Sequence, residues 1–246
     1  MIEASSLRKT FNKGQVIAVD NVSFTARDGQ ITGLLGPNGA GKTTTLRMLY
    51  TLLKPDAGHM RVDGIDPEVE PLKVRRLLGV VPDSRGLYDR LTARENIRYY
   101  ARLHGLKRAD TERRIDEFTR VLDMGEFIDR RCDGFSQGQR VKVAIARALI
   151  HDPRTVLLDE PSNGLDVMTT RALRGFLRDL RSQGRCVVLS THIMQEVAAL
   201  CDRIVIIAHG RVAAEGTADE LLARSGQSNL EDAFVHLIGS DEGLLA

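Results

Sequence analysis

Apolar and polar positions divide the chain into three stretches of different character. Over residues 1–35, VIAVDNVSFTARDG and then QITGLLG alternate apolar runs with glycine and aspartate turn signals, the pattern of strands. Residues 42–53, KTTTLRMLYTLL, predict a helix that Lys54-Pro55-Asp56 ends, since proline disfavours helical backbone in the residue before it. A Gly/Pro/Asp-rich segment, 54–71, comes next, and RRLLGVVPD at 75–83 holds another strand. From 90 to 150 strand-like runs give way to Arg, Glu, Leu and Ala. There Thr92 and Glu95 form a capping box that opens a helix to about His104, with further helices predicted over 110–122 and 137–150. Strand signals return with TVLLDE, CVVLSTH, RIVIIAHG and RVAAEG, separated by helical segments, and Thr217 with Glu220 opens a C-terminal helix. Strands alternating with helices predict an α/β fold with a mainly parallel sheet and right-handed crossovers, interrupted by a helical insert.

Composition narrows the classes. The 246 residues balance 35 basic against 33 acidic side chains, a net charge of +2, which gives no electrostatic reason to expect nucleic-acid binding. No apolar run approaches the roughly 20 residues that span a bilayer. MIEASSLRKTF lacks the apolar core of a signal peptide. A cytosolic protein is expected, with any membrane role supplied by a partner. Cys132, Cys186 and Cys201 are odd in number and widely spaced, and read as reduced thiols.

Two motifs point to nucleotide chemistry. Gly36-Pro37-Asn38-Gly39-Ala40-Gly41-Lys42-Thr43 fits G-x-x-x-x-G-K-[ST] between a predicted strand and a predicted helix. Its glycines let backbone N–H groups wrap phosphates, and the helix N-terminus adds a positive dipole end. Lys42 is expected on the β- and γ-phosphates and Thr43 on Mg²⁺, with Thr44 beside it. In TVLLDEP, 155–161, an apolar strand ends in two acids. Asp159 is placed to hold Mg²⁺ through water, and Glu160 to polarise an attacking water. A pair of exposed acids at a strand end is the plain alternative, and the phosphate loop in the same chain argues against it. A GTPase would need N-K-x-D, whereas the Asn12-Lys13 pair continues Gly14-Gln15.

A third segment separates the chain from most P-loop proteins. In FSQGQRVKVAIARAL, 135–149, Ser136 and Gln139 form a capping box and Gly138 keeps the backbone open, so a helix N-terminus offers a hydroxyl and free N–H groups. The segment resembles the signature of ATP-binding cassette (ABC) ATPases, and with the other motifs in order the resemblance covers essentially the whole chain. It implies a P-loop NTPase core at about 1–84 and 153–216 with antiparallel N-terminal strands. It also implies an inserted helical subdomain at about 85–152 and a C-terminal helical tail at about 217–246. By the same resemblance Phe11 stacks on adenine, unless it is simply a strand core residue. SNGLD, 162–166, is similar to the D-loop, with Asp166 against an opposite subunit, and STH, 190–192, to the switch region, with His192 on the γ-phosphate. Ser136, Gly138 and Gln139 would bind the ATP of a second ATPase subunit in a homodimer closed by ATP. A separate permease would hold the chain at the cytoplasmic face of the membrane.

The sequence departs from the family pattern twice. Asp83 stands where the family has Gln before the helical insert; it can reach Mg²⁺ or its water but cannot donate a hydrogen bond when ionised. Gln137 replaces the first signature glycine, placing a side chain near the expected γ-phosphate. LYDRLTARENIRYYARLHG and NLEDAFVHLIG resemble ATPase subunits of exporters with ABC-2 type permeases, and VPDSRGLYDRLTARENI is most similar to sodium-extruding systems. Leu87, Tyr88, Leu91, Tyr99 and Tyr100 among arginines predict a permease-docking surface over 85–102, or else tyrosines half-buried in the helical subdomain. Arg171, Arg174, Arg178 and Arg181 predict a solvated helix face. The competing classes are a soluble ABC ATPase acting on nucleic acid or ribosomes, and a non-transport enzyme such as a nucleotide kinase. The chain lacks the long coiled-coil insert of DNA-repair types and the second cassette of translation types, and its signature and STH segments argue against a kinase.

Overall fold

In the computed structural model, which describes residues 1–83 and 86–239, the strands sort into two sheets. The first is antiparallel, in the order β2–β1–β4, from β1 (Ile2–Phe11), β2 (Val16–Ala26) and β4 (Ala57–Val62). The second runs β5–β6–β7–β3–β8–β9, from β3 (Ile31–Leu35), β5 (Leu78–Val81), β6 (Thr155–Asp159), β7 (Cys186–Thr191), β8 (Arg203–Ala208) and β9 (Arg211–Gly216). Every pairing in it is parallel except β8–β9. β9 reverses because His209 and Gly210 both take left-handed backbone (φ 50 and 75), the requirement of a two-residue hairpin. The central strands β3, β6 and β7 are buried along their whole length, as parallel strands covered on both faces must be.

The helices are α1 (Lys42–Leu49), α2 (Pro71–Leu77), α3 (Ala93–Leu103), α4 (Arg108–Val121), α5 (Gln137–Leu149), α6 (Val167–Ser182), α7 (Met194–Leu200), α8 (Ala218–Ser225) and α9 (Leu230–Ile238). The capping boxes read from Thr92, Ser136 and Thr217 all form, each with both reciprocal bonds. A cap of this kind typically stabilises a helix by about 1 kcal/mol. Three departures from expectation have local causes. The first helix stops at Leu49 rather than near 53, because Thr51 is left-handed (φ 64) and the N–H groups of Leu52 and Leu53 turn back to the Arg47 carbonyl. The segment 54–71 contains β4, whose inward-facing residues Met60 and Val62 are too few to signal a strand. The face of α6 expected to be solvated is partly engaged. Arg171 is exposed, but Arg178 donates to the Ala199 carbonyl (2.8 Å) and Arg181 pairs with Asp202 (2.8 Å).

The helices α3–α5 share one core with β5–β7 and α6. Two buried polar side chains tie the inserted helices to the segment before them. Asn96, fully buried, accepts from the Tyr88 N–H (2.9 Å) and donates to the Tyr88 carbonyl (3.1 Å). Arg147 donates to the Gly86 carbonyl (2.7 Å) and lies 4.4 Å over the Tyr100 ring. The three cysteines are free, and burial pushes the thiols of Cys132 and Cys186 up to about 11. Among the described residues no helix is long and apolar enough to cross a membrane.

Where α3 and α5 end, His104 and His151 stack face to face, 3.6 Å between centroids. His151 Nε2 donates to the Leu78 carbonyl (3.0 Å), while its Nδ1 is buried without a partner. Protonation would bury an unpaired cation. Burial, then the neighbouring His104, accordingly push the His151 pKa down from 6.5 to about 4; burial and Arg76 lower His104 as well. Folding favours the neutral form of both rings over the unfolded chain, where histidine titrates near 6.5, so the stability they contribute is present above that pH. It is lost as pH falls from 6.5 through about 4. Chemical denaturation at stepped pH should show stability falling across that window, and His151→Gln should reduce the slope by up to about one proton.

Candidate functional site

The site lies where β3, β6 and β7 end side by side. In-register parallel pairing sets Asp159 opposite Ser190 and Leu35 opposite Thr191, so the loops that follow share one rim, the usual ligand position in an open parallel sheet. After β3 the chain turns through Gly36–Thr43 into α1. A Cβ on Gly36 would meet the Ile207 carbonyl oxygen at 2.2 Å; one on Gly41, which is left-handed (φ 105), would meet the Ala18 carbonyl oxygen at 2.4 Å. Glycine is therefore required at both places by close backbone approach.

Inside this loop Lys42 is almost fully buried. Its Nζ donates to the carbonyls of Gly36 (2.7 Å) and Pro37 (3.1 Å) and sits 3.3 Å from Glu160 Oε1. The other carboxylate oxygen of Glu160 is 3.0 Å from His192 Nδ1. Lys42, Glu160 and His192 thus form one chain of charge and hydrogen bonds. Glu160 is left-handed (φ 47), a conformation costing a non-glycine residue about 1–3 kcal/mol, and it marks the turn at the end of β6. His192 is held from behind: Thr191 donates to Glu196 (3.0 Å) and accepts the Ile193 N–H (3.1 Å).

Asp159 is buried, and both Thr43 Oγ1 (3.0 Å) and Ser190 Oγ (2.6 Å) donate to its Oδ1. Hydroxyl and carboxylate oxygens are the hard donors that suit Mg²⁺. Among the described residues no three His, Cys, Asp or Glu side chains gather as a metal site. A cation here would be shared between one or two protein oxygens and a phosphate ligand, as Mg²⁺ sites commonly are.

A cleft of about 380 Å³ brings together Asn38, Gly39, Ala40, Gly41, Lys42, Thr43, Thr44, Asp83, Glu160 and His192. Ala18 and Asn163 also line it and were not singled out from the sequence. Ala18 arrives from β2, far away in the chain; Asn163 lies within SNGLD. For Ser190 the sequence carries no signal beyond its place in the STH segment. A larger cleft, about 520 Å³, lies between α4 and α6. Its Arg114 and Arg185 already bond to Asp152 and to the carbonyls of Ile150 and Pro153, so it reads as a groove between helices.

The remaining candidates lie elsewhere. Ser136, Gly138 and Gln139 start α5 and do not line the phosphate-loop cleft. Gly138 packs against Thr169 of α6, where a Cβ would approach Thr169 to 3.3 Å. Asp166 caps α6, accepting from the Thr169 N–H (2.8 Å) and hydroxyl (2.7 Å). Phe11, at the end of β1, is 37% exposed and lies outside the cleft lining. Of the docking candidates, Tyr88 and Tyr99 are exposed and meet edge to face at 5.4 Å, whereas Leu87 and Tyr100 are half-buried against the core. Arg98 is held by Glu112 in a bidentate pair (2.6 and 2.9 Å). Arg85 lies outside the described residues.

Comparison with known proteins agrees with this geometry. The sequence profile of the ABC transporter family matches residues 19–163. The chain is 43% identical over 230 residues to the ABC transporter ATP-binding protein NatA of Bacillus subtilis, covering 93% of this chain and 94% of that protein. It is 39% identical over 229 residues to the daunorubicin/doxorubicin resistance ATP-binding protein DrrA of Streptomyces peucetius, covering 93% and 69%. Among solved structures, an ATP-binding subunit of an ABC transporter superposes with a TM-score of 0.89 at 30% identity, over 97% of this chain and all of that one. The cassette MJ0796, in a dimeric post-hydrolysis state bound to ADP and Pi, superposes with a TM-score of 0.81 at 28% identity, over 88% of this chain and 98% of that one. A family profile over more than half of the chain, a 43% identical relative covered almost end to end and a solved subunit of the same fold place the chain in the ABC transporter family as an ATP-binding and ATP-hydrolysing subunit.

Proposed function

We propose that this chain works as one of two identical cassettes that close around two ATP molecules, powering an exporter through a separate membrane permease at the cytoplasmic face. The observation that carries the reading is the separation of Ser136, Gly138 and Gln139 from the phosphate-loop cleft. One chain offers the γ-phosphate a cradle on one side and a capped helix N-terminus elsewhere. A two-fold pair would let each chain's signature helix complete the other's site, with Asp166 and its neighbours at the seam and Phe11 against adenine. The core at about 1–84 and 153–216, the helical subdomain at 85–152 and the tail from 217 would then be the working parts.

Within one site, the backbone of Gly36, Pro37, Asn38, Gly39, Ala40 and Gly41 would wrap the phosphates, with Thr44 beside them. Lys42 now neighbours Glu160, so an incoming phosphate competes for its charge and releases the carboxylate. Glu160 would then accept the proton of the water attacking the γ-phosphorus, with His192 contacting the γ-phosphate and supporting that water. Thr43 and Asp159 would hold Mg²⁺, and Asp83, exposed at the cleft edge, would reach it through water. When bound, that ion would neutralise charge on the β- and γ-phosphates. The permease would dock at the exposed Tyr88–Tyr99 pair, since aromatic residues favour interfaces. The cargo is assigned to sodium ions or drug-like amphiphiles, on the resemblance of 81–97 to sodium-extruding systems and on relatives named for doxorubicin resistance.

Hydrolysis, nucleotide binding and light scattering test the reading. Glu160→Gln should slow single-turnover hydrolysis by about 10²–10⁴ while still binding ATP, and Lys42→Ala should lose ATP binding; Glu160→Gln within twofold of wild type would remove Glu160 as the base. In light scattering with Mg-ATP, Glu160→Gln should shift to dimer and the same variant with Ser136→Arg should not. Equal dimerisation of both would show that the signature helix does not clamp the γ-phosphate. For the cargo, cells expressing the chain with its permease should tolerate more sodium or doxorubicin, and Lys42→Ala should abolish the gain.

A further inference from the structure

We infer that Ser190 is a positioning residue for hydrolysis: its one hydroxyl sets the orientation of Asp159 and the backbone of Glu160 together. The inference rests on the roles proposed above for those two acids. Ser190 is fully buried near the end of β7, directly opposite Asp159 in the β6–β7 register. Its Oγ lies 2.6 Å from Asp159 Oδ1 and 3.0 Å from the Glu160 nitrogen. A hydroxyl has one proton to give. A carboxylate oxygen can only accept here and a backbone N–H can only donate, so the direction of both bonds is determined. The proton points to Asp159 and a lone pair receives the Glu160 N–H. The Ser190 carbonyl takes the same N–H at 3.2 Å.

Each bond has a consequence for the site. Thr43 and Ser190 converge on the same oxygen of Asp159. Thr43 is the one proposed to turn toward the cation. Ser190 sits on a rigid central strand and keeps the carboxylate in place when Thr43 leaves it. Glu160 is left-handed immediately after Asp159, and the bond at its N–H fixes the turn from which its side chain reaches Lys42 and His192. Such partners behind a metal-holding carboxylate commonly govern metal affinity. A purely structural serine would instead matter only for stability.

The test is Ser190→Ala, which removes one oxygen and adds no bulk. Binding of mant-AMPPNP in EDTA should match wild type, because the phosphate loop is untouched. The gain in mant-AMPPNP affinity on adding Mg²⁺ should shrink, the Mg²⁺ concentration for half-maximal ATPase should rise, and kcat should fall, each by about 10-fold or more. Wild-type Mg²⁺ dependence and kcat in Ser190→Ala, alongside inactive Glu160→Gln and Asp159→Asn, would overturn the positioning role. So would a variant that loses binding in EDTA and thermal stability together, since that is the signature of a structural serine. If Glu160→Gln and Asp159→Asn both hydrolyse ATP at the wild-type rate, the assignment of the two acids falls first and the role of Ser190 with it.

Discussion

The in-register parallel pairing of β6 with β7 and of β7 with β3 is the constraint on which the rest depends. Parallel strands end on the same edge, so three loops distant in sequence open at one rim. The phosphate loop comes from β3, the acids from β6 and His192 from β7. A one-residue slip of β7 would turn Ser190 away from Asp159, since side chains alternate between the two faces of a sheet. The continuous apolar burial of these strands makes such a slip costly, and the site inherits its precision from the core.

On that rim, Lys42 and Glu160 offset each other's charge. Lys42 and Glu160 are both largely shielded from water and lie 3.3 Å apart. Removing either partner would leave a charge in poor solvation, the situation in which buried pairs matter most. The same neighbourhood sets the order of events proposed for the site. In the proposed sequence of events, phosphate would take Lys42 before Glu160 became free to accept a proton, so one ammonium group would link binding to base activation. The left-handed backbone of Glu160 is a local cost that the neighbouring strands hold in place, as strain at working sites usually is.

The helical insert is tied to the segment that leads into it. Asn96 and Arg147 bond to backbone at Tyr88 and Gly86, just beyond Asp83 at the cleft edge. The signature helix α5 packs its apolar face into this core and against α6, and its capped N-terminus stays outside the cleft. The solved cassette MJ0796, which this fold resembles, is a dimer, and the pairing proposed above would bring such a helix start to the partner's cleft.

Features encoded by adjacent residues were legible in the sequence. They include the three capping boxes, the strand–loop–helix of the phosphate loop, the paired acids ending an apolar strand, and the alternation that predicts a parallel sheet. Each depends on backbone bonds or periodicities spanning a few residues, so residue type at fixed spacing is enough to specify it. The edge strand β4, the early end of α1, the reversal of β9 and the engagement of Arg178 and Arg181 were not legible, because neighbours distant in the chain or single left-handed residues decide them. Ala18 reaches the cleft from the other sheet, and Ser190 reaches Asp159 across a strand pairing, contacts that no local pattern announces. Motif chemistry was therefore determined by the sequence alone. Which hydroxyl holds which carboxylate only the tertiary structure decided, because strand pairing and packing bring Ser190 and Thr43 to Asp159 across 31 and 116 residues of chain.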